Sequence, residues 1–403
     1  MGRITSERII RYTCLIFIAL NMFVLPSNIA VGAYFVLFSC FAILILRGQF
    51  RINLKVFFIS IVLIFILLSY ITKYKYTYVI LSWFSLFFMT YYSKKVGDKE
   101  VENSKDLIED FLWIFLLVAF FINIFVVGYQ IDGDMVFPHA YPDKNYTAVS
   151  VFMLFMYGIK RGYRTSIIPL MMMLLFYSNS RSLLLMSIIF VATIPLKRFI
   201  PEVKKKNIYF VIFLLQIFLI VPFSYFWINN VSTYNMTAYR ESLNDYSNKV
   251  RFSANVFAWK EILMNSDHII AGYGDSLKSV MGIEETESVF YNGAKLVQTH
   301  NSVLSVLVIN GWIPGLIYLW ALGKVLTKYG NKKNYEYVLP VLINSFVLPM
   351  YAGGMLVFWL FILIIPKRKL YDYRITKWKI IRIKRLERSE LLESNYEETK
   401  KRE

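Results

Sequence analysis

Uncharged apolar runs alternate with short basic links along almost the whole chain. FFISIVLIFILL at 57–68, IYFVIFLLQIFLIVPF at 208–223 and MLVFWLFILII at 355–365 hold no charged residue. Runs of this kind approach the ~20 residues with which a helix crosses a ~30 Å hydrocarbon layer. Hydropathy predicts about twelve such helices, at 9–25, 29–46, 55–71, 76–93, 108–127, 144–159, 165–178, 182–196, 207–228, 301–323, 335–349 and 351–366. The last two could instead form one broken element. The expected class is all-α, a polytopic membrane protein with transmembrane helices 1–9 in residues 1–228 and helices 10–12 in 301–366. Between helices 9 and 10 lies one large extracytoplasmic loop, 229–300, and a basic cytoplasmic tail fills 367–403. The N-terminal run has the basic flank of a signal peptide but no small-residue cleavage site after it, so a retained first helix is expected.

Composition agrees with that pattern. The 403 residues are 57% hydrophobic and 18% aromatic, with a mean hydropathy of +0.49, above the range of soluble domains. The net charge of +18 follows from the positive-inside rule, because most of the 45 basic residues fall on links assigned to the cytoplasmic side. An even number of helices with both termini inside satisfies the asymmetry, and no nucleic-acid partner is needed to explain it. Only Cys14 and Cys40 occur, both in predicted spans, which excludes a disulfide framework or a cysteine metal site in the outer loop. In the tail, RITKWKIIRIKRLER mixes Lys and Arg with Trp and Ile, as suits a segment lying against anionic membrane lipids or a solvated anchor.

Candidate chemistry lies where the apolar pattern breaks. The 229–300 loop is slightly acidic, with six basic and eight acidic residues, so its arginines are isolated cations. Within RFSANVFAWKEIL at 251–263, Phe252, Val256, Trp259 and Leu263 recur at helical spacing. That predicts a helix lying on the membrane face or over the mouth of the bundle, with Trp259 as an interfacial anchor. Arg251 stands at its start, about 100° round from the stripe, and reads either as a surface residue or as a cation turned into a polar cavity. IIAGYGDS at 269–276 permits a tight turn, either plain or with amides turned to an anion. Arg181, in YSNSRSLLL at 177–185, either snorkels to the interface or pairs with an anionic group. His300 opens an apolar helix, where the helix N-terminus favours a neutral imidazole able to accept a hydroxyl proton. The other two histidines, His139 and His268, read as ordinary loop residues. The spans are expected to be nearly free of acid, with Asp110 at an inner end set apart, which counts against ion-coupled transport.

Four of these segments, taken in order, resemble a known family. THNSVLSVLVINGWIPGLIY resembles the HN-x-x-L…G-x-x-G signature of the O-antigen ligase and O-antigen polymerase superfamily. VRFSANVFAWKEIL followed by AGYG resembles that family's R…W…G-x-G segment, SNSRSLLL its S-x-SR motif, and YPDKNYTA its D-x-N motif. The resemblance covers roughly residues 105–325. It implies a metal-independent, inverting glycosyltransferase on the outer face of a bacterial inner membrane, without a cofactor. The donor implied is an undecaprenyl-diphosphate-linked oligosaccharide, and the acceptor a glycan or lipid A-core hydroxyl. The matching catalytic positions are His300, Arg251 and Arg181, with Arg240, Asn301, Trp259 and Tyr273 as substrate-binding candidates. A repeat-unit polymerase working with a chain-length regulator is the expected activity. A ligase that attaches the glycan to lipid A core is the alternative within the family. From another class, a lipid-linked oligosaccharide flippase would move the same molecule without chemistry.

Overall fold

The computed structural model describes residues 106–122, 144–168, 181–200, 207–230, 246–274, 299–330, 334–351 and 353–365 as continuous stretches. Shorter pieces and single positions are described between 8 and 86 and at 129–131, 134–136, 171, 290–291, 294–296 and 367–368. The predicted spans in 9–93 and most of 165–178 therefore lie largely outside the described residues, as does Arg240.

The protein is mainly helical. Its described helices are α1 Leu107–Ile122, α2 Lys144–Lys160, α3 Arg181–Leu196 and α4 Ile208–Asn230. They continue with α5 Tyr246–Phe257, extended by a π-helical turn Ala258–Leu263, then α6 Ser302–Asn310 and α7 Trp312–Tyr329. The last two are α8 Tyr335–Asn344 and α9 Gly353–Ile364. Two short antiparallel pairs, β1 Tyr129–Ile131 with β2 Asp134–Val136 and β3 Phe290–Tyr291 with β4 Ala294–Lys295, lie in the links. Among the described residues, α4 is long and apolar enough to cross a membrane by itself. On α1, Leu107, Phe111, Ile114, Phe115 and Val118 are all exposed along one face, and α4 exposes Leu215, Phe218, Leu219 and Phe226 in the same way.

The largest departure from the sequence expectation is at 301–323. That segment is two helices, broken at Gly311 (φ 88°, ψ 171°). α7 folds back along α6: a Cβ placed on Gly315 would lie 2.9 Å from Leu307 Cδ2 and 3.4 Å from the Val306 carbonyl oxygen. Ser302 and Tyr318, on the two arms, both bind the link after α8. Ser302 N donates to Ser345 O (2.9 Å), Ser302 Oγ to Leu348 O (2.6 Å) and Tyr318 Oη to Tyr351 O (2.8 Å). Asn310-Gly311 stops the first helix, and Pro314 in the first turn of α7 needs no amide partner, so the chain restarts there. At ~1.5 Å per residue α6 is about 14 Å long, under half a hydrocarbon layer.

The 269–274 loop seals this break. Gly311 N follows α6 with a bond to Leu307 O, while Ile313 N donates to Ile269 O and Tyr273 N to Val308 O. Gly272 packs so tightly there that an added Cβ would sit 2.4 Å from Val308 O. Gly272→Ala is therefore expected to force the loop off the hairpin and lower stability by about 1–3 kcal/mol. Thermal unfolding of the purified protein checks this, and an unchanged midpoint would count against the packing argument.

At the opposite end the basic links converge on buried acids. Glu109 Oε1 and Oε2 accept from Arg161 Nε (2.6 Å) and Nη2 (2.8 Å), Tyr157 Oη donates to Oε1 (2.9 Å), and Arg11 Nε lies 2.9 Å from Oε2. Asp106 holds Arg11 and Tyr12, Asp110 holds Tyr163 and Arg368, and Glu336 holds Lys197 and Lys367. Lys160 donates to the Ile362 and Leu363 carbonyls at the end of α9. Glu109 and Glu336, like Asp110, fall inside predicted spans, so the expectation of nearly acid-free spans is corrected. These acids hold together links that the charge pattern assigned to one side. α4 and α7 agree with that assignment: Lys324 Nζ donates to Asn207 (2.9 Å) and Tyr209 Oη to Gly330 O (2.9 Å), so the helices run antiparallel with their basic ends level.

Candidate active site

The site is built on the start of α6 and on α5 beside it. Asn301 is the N-cap of α6, with an extended backbone at φ −122° and ψ 131°. Its Oδ1 accepts from Val303 N (2.9 Å) and Leu304 N (3.0 Å), which satisfies two amides that a helix start otherwise leaves without partners. Its Nδ2 donates to Phe346 O at 3.4 Å. The side chain expected to bind substrate is thus committed to the helix start.

His300 precedes this cap and is 7% exposed. Its backbone N–H donates to Asn255 Oδ1 on α5 (3.2 Å). Its Nδ1 is buried and has no hydrogen-bond partner among the described residues. Burial first, and then the positive charge of Arg251, depress the imidazole pKa from 6.5 to about 3. The neutral histidine expected from the sequence is obtained, with burial and the Arg251 charge as its causes. The same fact places Arg251 within electrostatic reach of His300, so the structure brings two of the three predicted catalytic residues together.

Arg251 lies in the second turn of α5, not at its start, and is partly buried. α5 does not lie on a surface. Ser253, Ala254, Asn255, Val256 and Ala258 are all buried; the helix packs against α4 and the β3–β4 pair, and the π turn that extends it packs against α6. Phe252 meets Phe223 (5.3 Å between centroids) and Trp227 (4.9 Å) of α4. The apolar stripe of the sequence was real, but it faces protein. Trp259, expected as an interfacial anchor and substrate contact, instead meets Trp312 of α7 edge-on at 5.8 Å, and Trp312 Nε1 donates to Leu263 O (2.7 Å).

Tyr273 is placed at the other end of α6. Its amide is used by Val308, about 12 Å along the axis from His300, and its ring lies 4.4 Å from that of His268. The glycine-flanked turn is a packing element against the hairpin, and the Tyr273 amide is not directed to an anion. Arg181 is exposed at the first residue of α3. α3 packs along α8 with Lys197 beside Glu336, so the two helices are antiparallel. Arg181 therefore stands toward the end where α8 delivers Ser345 and Phe346 to Ser302 and Asn301. That is the His300 end of the molecule.

The residue that sequence reasoning passed over is Asn255. It follows Arg251 by one helical turn, so the spacing that defined the apolar stripe also puts this amide on the arginine's side of the helix. Thr299 Oγ1 and Ser253 Oγ are further buried polar atoms here without hydrogen-bond partners among the described residues. Among the described residues no group of three or more His, Cys, Asp or Glu side chains converges to hold a metal. Compared with models of protein families, with curated proteins and with solved structures, the chain matches none.

Proposed function

We propose that the chain is a membrane glycosyltransferase that passes glycan from an undecaprenyl-diphosphate donor to a sugar hydroxyl, acting as an O-antigen or capsule repeat-unit polymerase. The observation that carries this reading is a buried, neutral His300 whose backbone is tied to Asn255, one helical turn from Arg251. The imidazole Nδ1, without a hydrogen-bond partner among the described residues, can accept a hydrogen bond from an acceptor hydroxyl and so orient it or take its proton as attack proceeds. As that oxygen attacks the anomeric carbon, inversion breaks the bond to the diphosphate, and negative charge passes to the leaving group. A guanidinium meets such charge with two parallel N–H donors and gives up no proton. Arg251 takes that role, Arg181 is the second guanidinium proposed at the same end, and Arg240 a further phosphate or sugar contact. A diphosphate leaves readily without protonation, so one base and two cations suffice.

A membrane setting is supported by the exposed apolar rows on α1 and α4, which a soluble protein rarely leaves in water, and by α4 itself. The polymerase reading over the ligase rests on the D-x-N element, whose Asn145 is the second residue of α2.

Arg251→Lys tests the clamp. It keeps the charge but loses the fork, and transfer is expected to fall by about 10²–10³ if the donors act on the developing charge. Glycan gels from a deletion strain carrying the variant read the result. Single repeat units indicate failed polymerisation, whereas long chains left on the carrier lipid indicate a ligase. Wild-type long chains with Arg251→Lys would remove the arginine from the mechanism.

A further inference from the structure

We propose that Asn255 is a positioning residue of this site, whose side-chain oxygen holds the His300 backbone one helical turn from Arg251 and so fixes the separation of imidazole and guanidinium. This rests on the reading of Arg251 and His300 as the groups that meet acceptor and donor. The geometry is specific. Asn255 is 1% exposed and spends its Oδ1 on a residue 45 positions away, at 3.2 Å. That residue, His300, has a backbone outside any helix or strand, so no ladder hydrogen bond fixes it there.

The two elements have other supports as well, among them the π turn after α5, which packs on α6 and whose Leu263 carbonyl accepts from Trp312 Nε1. α5 is held by Phe252 against α4, and the α6 start by Ser302 and Asn301 against the link after α8. Asn255–His300 is a direct polar tie between the helix that carries the cation and the segment that carries the base. Its place on α5 also matters. A π turn starts at Ala258 and rotates every later side chain relative to a regular helix, whereas Asn255 and Arg251 lie before it and keep the i, i+4 relation that puts both on one side. Groups that act together in a displacement need to be held within fractions of an ångström, and a buried amide-to-backbone bond is a suitable restraint.

The test uses the full chain in membranes and after purification. Carbethoxylation of histidine by diethyl pyrocarbonate, followed by mass spectrometry, reads how well His300 is held, with His268 as an internal control for folding. Asn255→Ala is expected to speed modification of His300 about tenfold relative to His268, and to lower glycan transfer at least as much, since a buried amide loses its partner. Asn255→Asp presents an oxygen acceptor to the same N–H and is expected to keep His300 protected. Protection of His300 that survives Asn255→Ala overturns the proposal. So does wild-type transfer by Asn255→Ala when His300→Ala is inactive, because His300 is then catalytic without needing this tie. Transfer that survives His300→Ala overturns the functional reading itself, and with it the catalytic sense of the tie.

Discussion

Replacing His300 by alanine is expected to stop long-chain glycan production while the protein stays in the membrane at its normal level. A positioned base contributes about 10²–10⁴ to a rate, so the loss should be near complete on a gel. The fold should tolerate the change, because the imidazole Nδ1 makes no hydrogen bond among the described residues and the bond to Asn255 comes from the backbone, which alanine retains. The pH dependence sharpens the prediction. With a folded pKa of about 3, His300 stays neutral from pH 8 down to 5, and transfer should not decline over that range on its account. Stability behaves differently. Below pH 6.5 the unfolded chain takes up a proton at this position and the folded chain does not, so stability falls as pH drops from 6.5 toward 3 and is unaffected above. At about 1.4 kcal/mol per unit of pKa difference, the loss reaches several kcal/mol at the acid end. His300→Ala should flatten that part of the stability profile. A variant that keeps both long chains and the acid-side slope would remove His300 from the site and from the buried core alike.

Much of this architecture was legible in the sequence, and the exceptions have physical reasons. The runs at 108–127, 182–196 and 207–228 each contain or overlap a described helix, because their apolar periodicity is continuous. The helix over 251–263 was also legible, though it starts five residues earlier, at Tyr246. What failed was the inference from an apolar stripe to an exposed helix. A stripe says that a face is buried, and it does not say whether protein or lipid covers it. At 301–323 the apolar content masked a clear stop and restart, since Asn310-Gly311 followed by Pro314 is a helix end and a helix start four residues apart. His300 and Arg251 could be singled out as rare polar residues at breaks in the pattern. Their proximity could not be read, because 48 residues lie between them and it depends on how α5 sits against the segment that leads into α6. Asn255 was hidden for another reason. An amide within an amphipathic helix is ordinary until its partner is known.

Glu109→Ala is expected to be among the most destabilising single changes in the described fold. Arg11 and Arg161 are each 1% exposed and Glu109 is fully buried. The carboxylate receives a forked pair from Arg161 and an ion pair from Arg11, and truncation leaves two buried guanidiniums facing each other with no charge between them. Removing one member of such a pair costs about 3–5 kcal/mol, a large part of the ~5–15 kcal/mol that holds a typical domain together. Asp106 still pairs with Arg11, which offsets part of the loss on that side. The double change Glu109→Leu with Arg161→Met removes both charges and should recover much of the loss, because an apolar pair of similar volume needs no counter-charge. Thermal unfolding in detergent compares the three proteins, and a single variant as stable as the wild type would show that this cluster contributes nothing. The damage should be to stability and not to chemistry. Glu336, linked to this network through Lys367 and Arg368, lies about 14 Å along α8 from Ser345, whose carbonyl holds Ser302 two residues after His300. Protein that survives should therefore transfer glycan at a normal rate per molecule, which separates a scaffold at one end of the molecule from a reaction at the other.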